Sequence, residues 1–144
     1  MADRAARLAV FLATERGIRH FALDADDERD VLMRESFGNA AAPLAMQVAF
    51  PTAAQLSQAG LADQALRNAE MTKLDTAAKK AGADQALAGS LVWSDDELGW
   101  IADWRLAMAG KTYIWQVRGV SFDEAFRVAM RGAAQILSGN GEPE

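Results

Sequence analysis

The chain contains no cysteine and a single histidine. The first absence excludes disulfides and thiolate metal sites, and leaves the compartment open. His20, the one histidine, has no histidine or cysteine companion, so a metal there would need carboxylates as all its other ligands. A half-packed or exposed histidine is the simpler reading. Concentrated positive charge is also missing: the fifteen Lys and Arg are scattered and the net charge is −5. That argues against nucleic acid as the main partner. No apolar run reaches the ~20 residues of a membrane helix. Leu8 to Ala13 is too short and is bracketed by charge, so no membrane insertion is expected. The opening Asp3-Arg4-Ala5-Ala6-Arg7 offers no signal-peptide h-region. The chain therefore reads as cytosolic, or as a mature or excised piece of a longer exported protein. Phosphate loops, Gly-x-Gly-x-x-Gly and the Gly-x-Ser-x-Gly elbow are absent too. Ala88-Gly89-Ser90-Leu91 falls inside a strand, where a nucleophile would be buried.

What is present is a core-forming composition. The 144 residues suit one domain, and 51% apolar with 24% charged residues is the composition of a chain that folds, not of a disordered one. All four tryptophans lie between Ala86 and Val120, in a stretch that reads as three antiparallel strands. Trp100, Ala102, Trp104, Leu106 and Met108 alternate with Ile101, Asp103, Arg105 and Ala107. Tyr113, Trp115 and Val117 alternate with Thr112, Ile114, Gln116 and Arg118. This period of two marks strands with one buried face. A two-residue loop at Ala109-Gly110 pairs Met108 with Lys111, Leu106 with Tyr113, Trp104 with Trp115 and Ala102 with Val117. The tryptophans, Leu106, Tyr113 and Val117 then stay on one side, whereas a slip of one residue puts the faces out of step. The preceding strand, Gln85 to Trp93, is small or apolar on both sides and should be covered on both. Ser94-Asp95-Asp96-Glu97-Leu98-Gly99 is an acidic turn.

Before that stretch, Arg7 to Thr14 reads as a buried strand, with a first helix as the alternative. Ile18 to Leu23 suits a second short extended piece. A helix starts near Asp26 or Asp27, with Val31, Leu32, Phe37 and Ala41 as an apolar stripe, and Gly38-Asn39 should end or fray it. Leu44 to Phe50 reads as a strand closed by Pro51. Thr52 and Gln55 form a capping box for a short helix, Gly60 interrupts, and a longer helix ends near Ala81-Gly82 with Leu74, Ala77, Ala78 and Ala81 on one face. Ser121 and Glu124 cap a last helix that aligns Phe122, Phe126, Ala129, Ala133 and Leu137.

The element order β-α-β-α-β-β-β-α predicts an α/β or α+β fold. Strands joined through helices should run parallel and those joined by turns antiparallel, giving a mixed sheet with a C-terminal antiparallel meander and a final helix packed on it. Residues 1–138 should form one domain and 139–144 a loose tail.

Ala77-Ala78-Lys79-Lys80-Ala81-Gly82-Ala83-Asp84, Ala86 to Leu91, Gly99 to Leu106 and Trp115-Gln116-Val117-Arg118-Gly119, followed by a helix, form a pattern over residues 70–138. It resembles the C-terminal part of the bacterial domain of unknown function 2066 family. The helix-Gly-Ala-Asp-strand portion is more weakly similar to periplasmic modules such as the TolB N-terminal domain and the lipoprotein activators of penicillin-binding proteins. The resemblance implies an exported or envelope-associated protein. It implies no catalytic residues.

Candidate chemistry is thin. Asp24, Asp26, Asp27, Glu28 and Asp30 could hold a hard cation, but lack the spacing and glycine of a calcium loop and suit a solvated helix start. Asp95-Asp96-Glu97 suits a polar turn for the same reason. A tryptophan stacking platform is disfavoured by the alternation, which places the indoles in the core. Asp103, Arg105, Gln116 and Arg118 share the other face of the hairpin, as a solvated surface with weak ion pairs or as a partner-binding surface. No cofactor or metal is expected. Two functions remain: a non-catalytic protein-binding or assembly module, with a protein partner or a second copy, and a small-ligand-binding or metal-dependent enzyme domain needing a convergent polar pocket.

Overall fold

A computed structural model describes residues 6–17, 19–61 and 64–139; for Ala6, Arg19, His20 and Gln64 it describes the backbone alone. The expected tail falls outside these residues except for Gly139.

The sheet is organised by its first strand. β1 (Ala6–Arg16) is apolar on both faces, with Leu8, Val10 and Leu12 in one core and Ala9 and Phe11 in the other. Such a strand must be covered on both sides. On one edge it pairs in parallel with β4 (Gln85–Ser94). Its other edge is shared. Ala6 to Ala9 pair in parallel with β3 (Met46–Ala49), and Ala13 to Arg16 pair antiparallel with β2 (Arg19–Ala22). The meander continues through β5 (Gly99–Met108) and β6 (Lys111–Val120), both antiparallel. The result is a six-stranded mixed sheet of order β2-β1-β4-β5-β6, with β3 also on β1. Helix-linked strands are parallel and turn-linked strands antiparallel, as the connections dictate.

The hairpin register is the one the apolar alternation requires: Met108 opposite Lys111, Leu106 opposite Tyr113, Trp104 opposite Trp115, Ala102 opposite Val117. Ala109 (φ +54°) and Gly110 (φ +79°) both adopt positive φ, the type I′ pattern whose twist matches two antiparallel strands. Trp104 is wholly buried and Trp115 nearly so.

Helices cover both faces. α1 (Val31–Ala41) and α5 (Phe122–Leu137) pack on the tryptophan face. There Phe37 stacks on Phe126 at 4.1 Å between ring centroids and meets Trp104 edge-on at 5.7 Å. The other face carries α2 (Ala53–Gln58), α3 (Gln64–Asn68) and α4 (Met71–Lys80), whose Leu56, Leu66, Leu74 and Ala78 join Ala9, Phe11, Ala86 and Ala88 in a second core.

Several local expectations are modified. The extended piece after β1 is a true hairpin strand, β2, and the middle helical region is three helices instead of two. α1 runs through Gly38-Asn39 instead of ending there, because Phe37 and Ala41 on either side are buried. A helical glycine costs only ~1 kcal/mol, less than burying an aromatic ring gains. The stop comes at the 3-10 turn Ala42–Leu44, which contains Pro43. Val31 and Leu32, expected on the apolar stripe, are exposed. The Thr52–Gln55 capping box is present in both directions. At Ser121 the hydroxyl accepts the Glu124 N–H, while the Glu124 carboxylate turns to Arg127 and Arg131.

Candidate functional site

α2 to α4 lie over β1 and β4 and leave the β5–β6 hairpin largely open on the same side of the sheet. That open surface carries the four residues singled out from the sequence. Gln116 Nε2 donates to Asp103 Oδ1 across the strands at 2.6 Å. Arg118 Nε donates to Glu97 Oε1 at 3.1 Å, which ties the end of β6 to the acidic turn. Arg105 departs from the expected solvated position. It is half-buried, and its Nη1 donates to the Ala69 carbonyl at 3.0 Å. Ala69 lies between α3 and α4, so Arg105 holds that link against the sheet. Asp103, Gln116 and Arg118 thus form one polar strip, and Arg105 belongs to the boundary of the covered region.

Ile114 lies on the same surface and is 67% exposed, opposite Arg105. Leu98, at the β4–β5 turn, is more exposed still. Beyond β6, no strand pairs with the outer edge among the described residues. The hairpin therefore presents ten residues of edge backbone beside a polar strip that ends, toward the β5–β6 turn, in a β-branched apolar side chain.

The acidic residues before α1 organise a loop. Asp30 is buried and its Oδ2 accepts the Asp24 N–H at 3.1 Å; burial pushes its carboxyl above the usual range. Asp27 caps the 3-10 turn Glu28–Asp30 by accepting the Arg29 N–H. Its side-chain bonds from Arg29 hold it down to about 2. Arg34 Nη1 donates to the carbonyls of Asp24 and Asp27, both at 2.6 Å. In the second acidic turn, Asp95 accepts from Trp93 Nε1 at 2.8 Å. Each cluster is thus engaged with its own backbone or neighbours. Among the described residues no three His, Asp or Glu side chains converge as metal ligands. His20 lies in β2, its backbone opposite Glu15; its side chain falls outside the description.

One feature had no local signal in the sequence. A cleft of about 400 Å³ lies over β1 and β3 between α2 and α4, lined by side chains that include Arg7, Thr52, Gln55, Gln58 and Lys80. These positions are far apart along the chain, and only the fold assembles them. Compared with known protein families, with curated proteins and with solved structures, the chain finds no match.

Proposed function

We propose that the chain is a non-catalytic protein-binding or assembly module, and that the β5–β6 hairpin is its binding element. The observation that carries this reading is the open edge of β6 next to the polar strip of Asp103, Gln116 and Arg118, with the exposed Ile114 at the end of that strip nearer the β5–β6 turn. An unpaired edge offers backbone donors and acceptors to an added strand, and the neighbouring side chains select its sequence. The partner is an extended segment of another protein. A second copy is the weaker fit, because pairing two β6 strands brings two sets of Lys111 and Arg118 to one seam. Membership of the domain of unknown function 2066 family, and with it a place in the bacterial envelope, is part of the same proposal and rests on the residue pattern between 70 and 138.

A phage-displayed library of random peptides, panned on the full chain, tests the reading. Selected peptides should protect the amides of residues 111–120 from hydrogen exchange, and Ile114→Asp should abolish their binding without changing the circular dichroism spectrum. Selected peptides that protect a different surface, or that bind Ile114→Asp as well as the wild type, would sink it. A shift to a dimer by light scattering, lost in Ile114→Asp, would transfer the role to self-assembly.

A further inference from the structure

We infer that the cleft between α2 and α4 binds a small amphiphilic anion, an apolar body carrying one carboxylate or phosphate. The cleft has two chemically different parts. Ala9, Phe11, Phe50 and Ala77 supply apolar lining, while Arg7 and Lys80 supply positive charge. Among the described residues no acidic side chain lines it, although Asp and Glu outnumber Lys and Arg by 20 to 15 in the whole chain. Five surface arginines elsewhere find carboxylates: Arg29 with Asp27, Arg67 with Glu15, Arg118 with Glu97, and Arg127 and Arg131 with Glu124. Arg7 and Lys80 have no such ion pair among the described residues. Two cationic side chains on one cavity, neither in an ion pair among the described residues, make an electrostatic site for an anion.

The site is held by the backbone. Asp84 accepts the Arg7 N–H at 2.9 Å through Oδ2 and donates its own N–H to the Arg7 carbonyl at 2.8 Å. This locks the start of β1 to the turn that follows α4, and so keeps Arg7 and Lys80 at the same cleft. Asp84 itself does not line the cavity. On the α2 side, Gln55 Oε1 is committed to the Thr52 N–H at 3.0 Å. The amide nitrogen of Gln55 is then the end that remains to donate, which again suits an oxygen-rich anion. A volume of about 400 Å³ falls in the range of small-molecule sites.

Titration of the labelled full chain by NMR with octanoate, octyl phosphate, octanol and inorganic phosphate tests the inference. Both octyl anions should shift the amide signals of residues 49–59 and 77–81, and the tighter of the two identifies the headgroup. Octanol and inorganic phosphate should bind at least about tenfold more weakly, since each lacks one half of the recognition. Arg7→Gln and Lys80→Gln are surface changes that should each weaken the octyl anions by about tenfold. Ala77→Phe keeps both charges and should abolish binding by filling the cleft. Failure of both octyl anions to bind, octanol binding equally well, or unchanged affinity in the Arg7→Gln/Lys80→Gln double variant would overturn the inference. Ile114→Asp should leave these titrations unchanged, which separates this site from the hairpin.

Discussion

Gly38 and Gly132 both sit inside helices, yet a methyl group added to each meets a different environment. At Gly38 nothing lies within 4 Å, so Gly38→Ala should stabilise by the ordinary helix-propensity gain of ~0.5–1 kcal/mol. At Gly132 the methyl would stand 2.5 Å from Cε2 and Nε1 of Trp115. That ring is nearly buried, and its Nε1 donates to the Val128 carbonyl at 3.2 Å, so it cannot step aside cheaply. Overpacking costs ~1–3 kcal/mol and exceeds the propensity gain. Gly132→Ala should therefore lower the urea midpoint while Gly38→Ala raises it; the same sign for both would refute the assignment of α5 to the tryptophan face. Thr14 poses the opposite problem. It is buried, and its hydroxyl has no hydrogen-bond partner among the described residues. An orphan buried hydroxyl costs ~1–3 kcal/mol, and valine has nearly the same shape with good strand propensity. Thr14→Val should raise stability by about 1 kcal/mol; a loss in thermal or urea unfolding would show that the hydroxyl is satisfied.

The loop from Asp24 to Asp30 and the turn that begins α1 carry the clearest pH signature. Asp30 is buried and its carboxyl titrates above the ordinary 3.8 because burial disfavours the charge. The folded state then holds a proton that the unfolded state has lost, so stability falls as pH rises from 3.8 through the raised value. Asn at this position can still accept the Asp24 N–H, yet never ionises. The stability difference between Asp30→Asn and the wild type should therefore shift in favour of the variant across that interval and level off above it. Asp27 works the other way: held down to about 2, it supports the fold above 3.8 and loses that support as pH falls toward 2. Chemical unfolding at a series of pH values checks both signs: a flat difference curve for Asp30→Asn would contradict the first, and a flat one for Asp27→Asn the second. None of this was legible beyond an acidic helix start. The carboxylates could be counted, but which one is buried depends on where α1 packs. By contrast, the β5–β6 register was legible from the Met108–Lys111 pair to the Ala102–Val117 pair, because a period of two leaves one way to keep Trp104, Trp115 and Leu106 on the same face; the shift that pairs Trp100 with Val120 had no such signal. Gly38-Asn39 fails to break α1 for a related reason: Phe37 sits against Trp104 and Phe126, a contact that the local sequence does not show.

Across the whole molecule, connection lengths sufficed for the parallel and antiparallel sense of the main strands. They did not show that β2 and β3, four residues each, share one edge of β1, because so short a strand carries almost no periodic signal. The cleft was invisible for a different reason: it is built from β1, the segment after β3, α2 and α4, and no local pattern links them. The same arrangement makes β1 and β4 the shared floor of two cores. Leu8, Val10, Leu87 and Leu91 point into one, and Ala9, Phe11, Ala86 and Ala88 into the other. Neither helical layer can leave without exposing a strand that the opposite layer also needs, so the two faces should unfold together. Tryptophan fluorescence reads one face, since Trp100, Trp104 and Trp115 are buried in the α1–α5 core and Trp93 packs against it. Leu74 is fully buried in the other core, on α4. Leu74→Ala should cost ~2–5 kcal/mol as a large-to-small core change. That loss should move the fluorescence midpoint in urea by the same amount as the far-ultraviolet circular dichroism midpoint, even though no tryptophan lies in the altered core. A fluorescence transition left at the wild-type position while the dichroism transition splits would mean that the α2–α4 layer peels away by itself, and the sheet would then not couple its two faces.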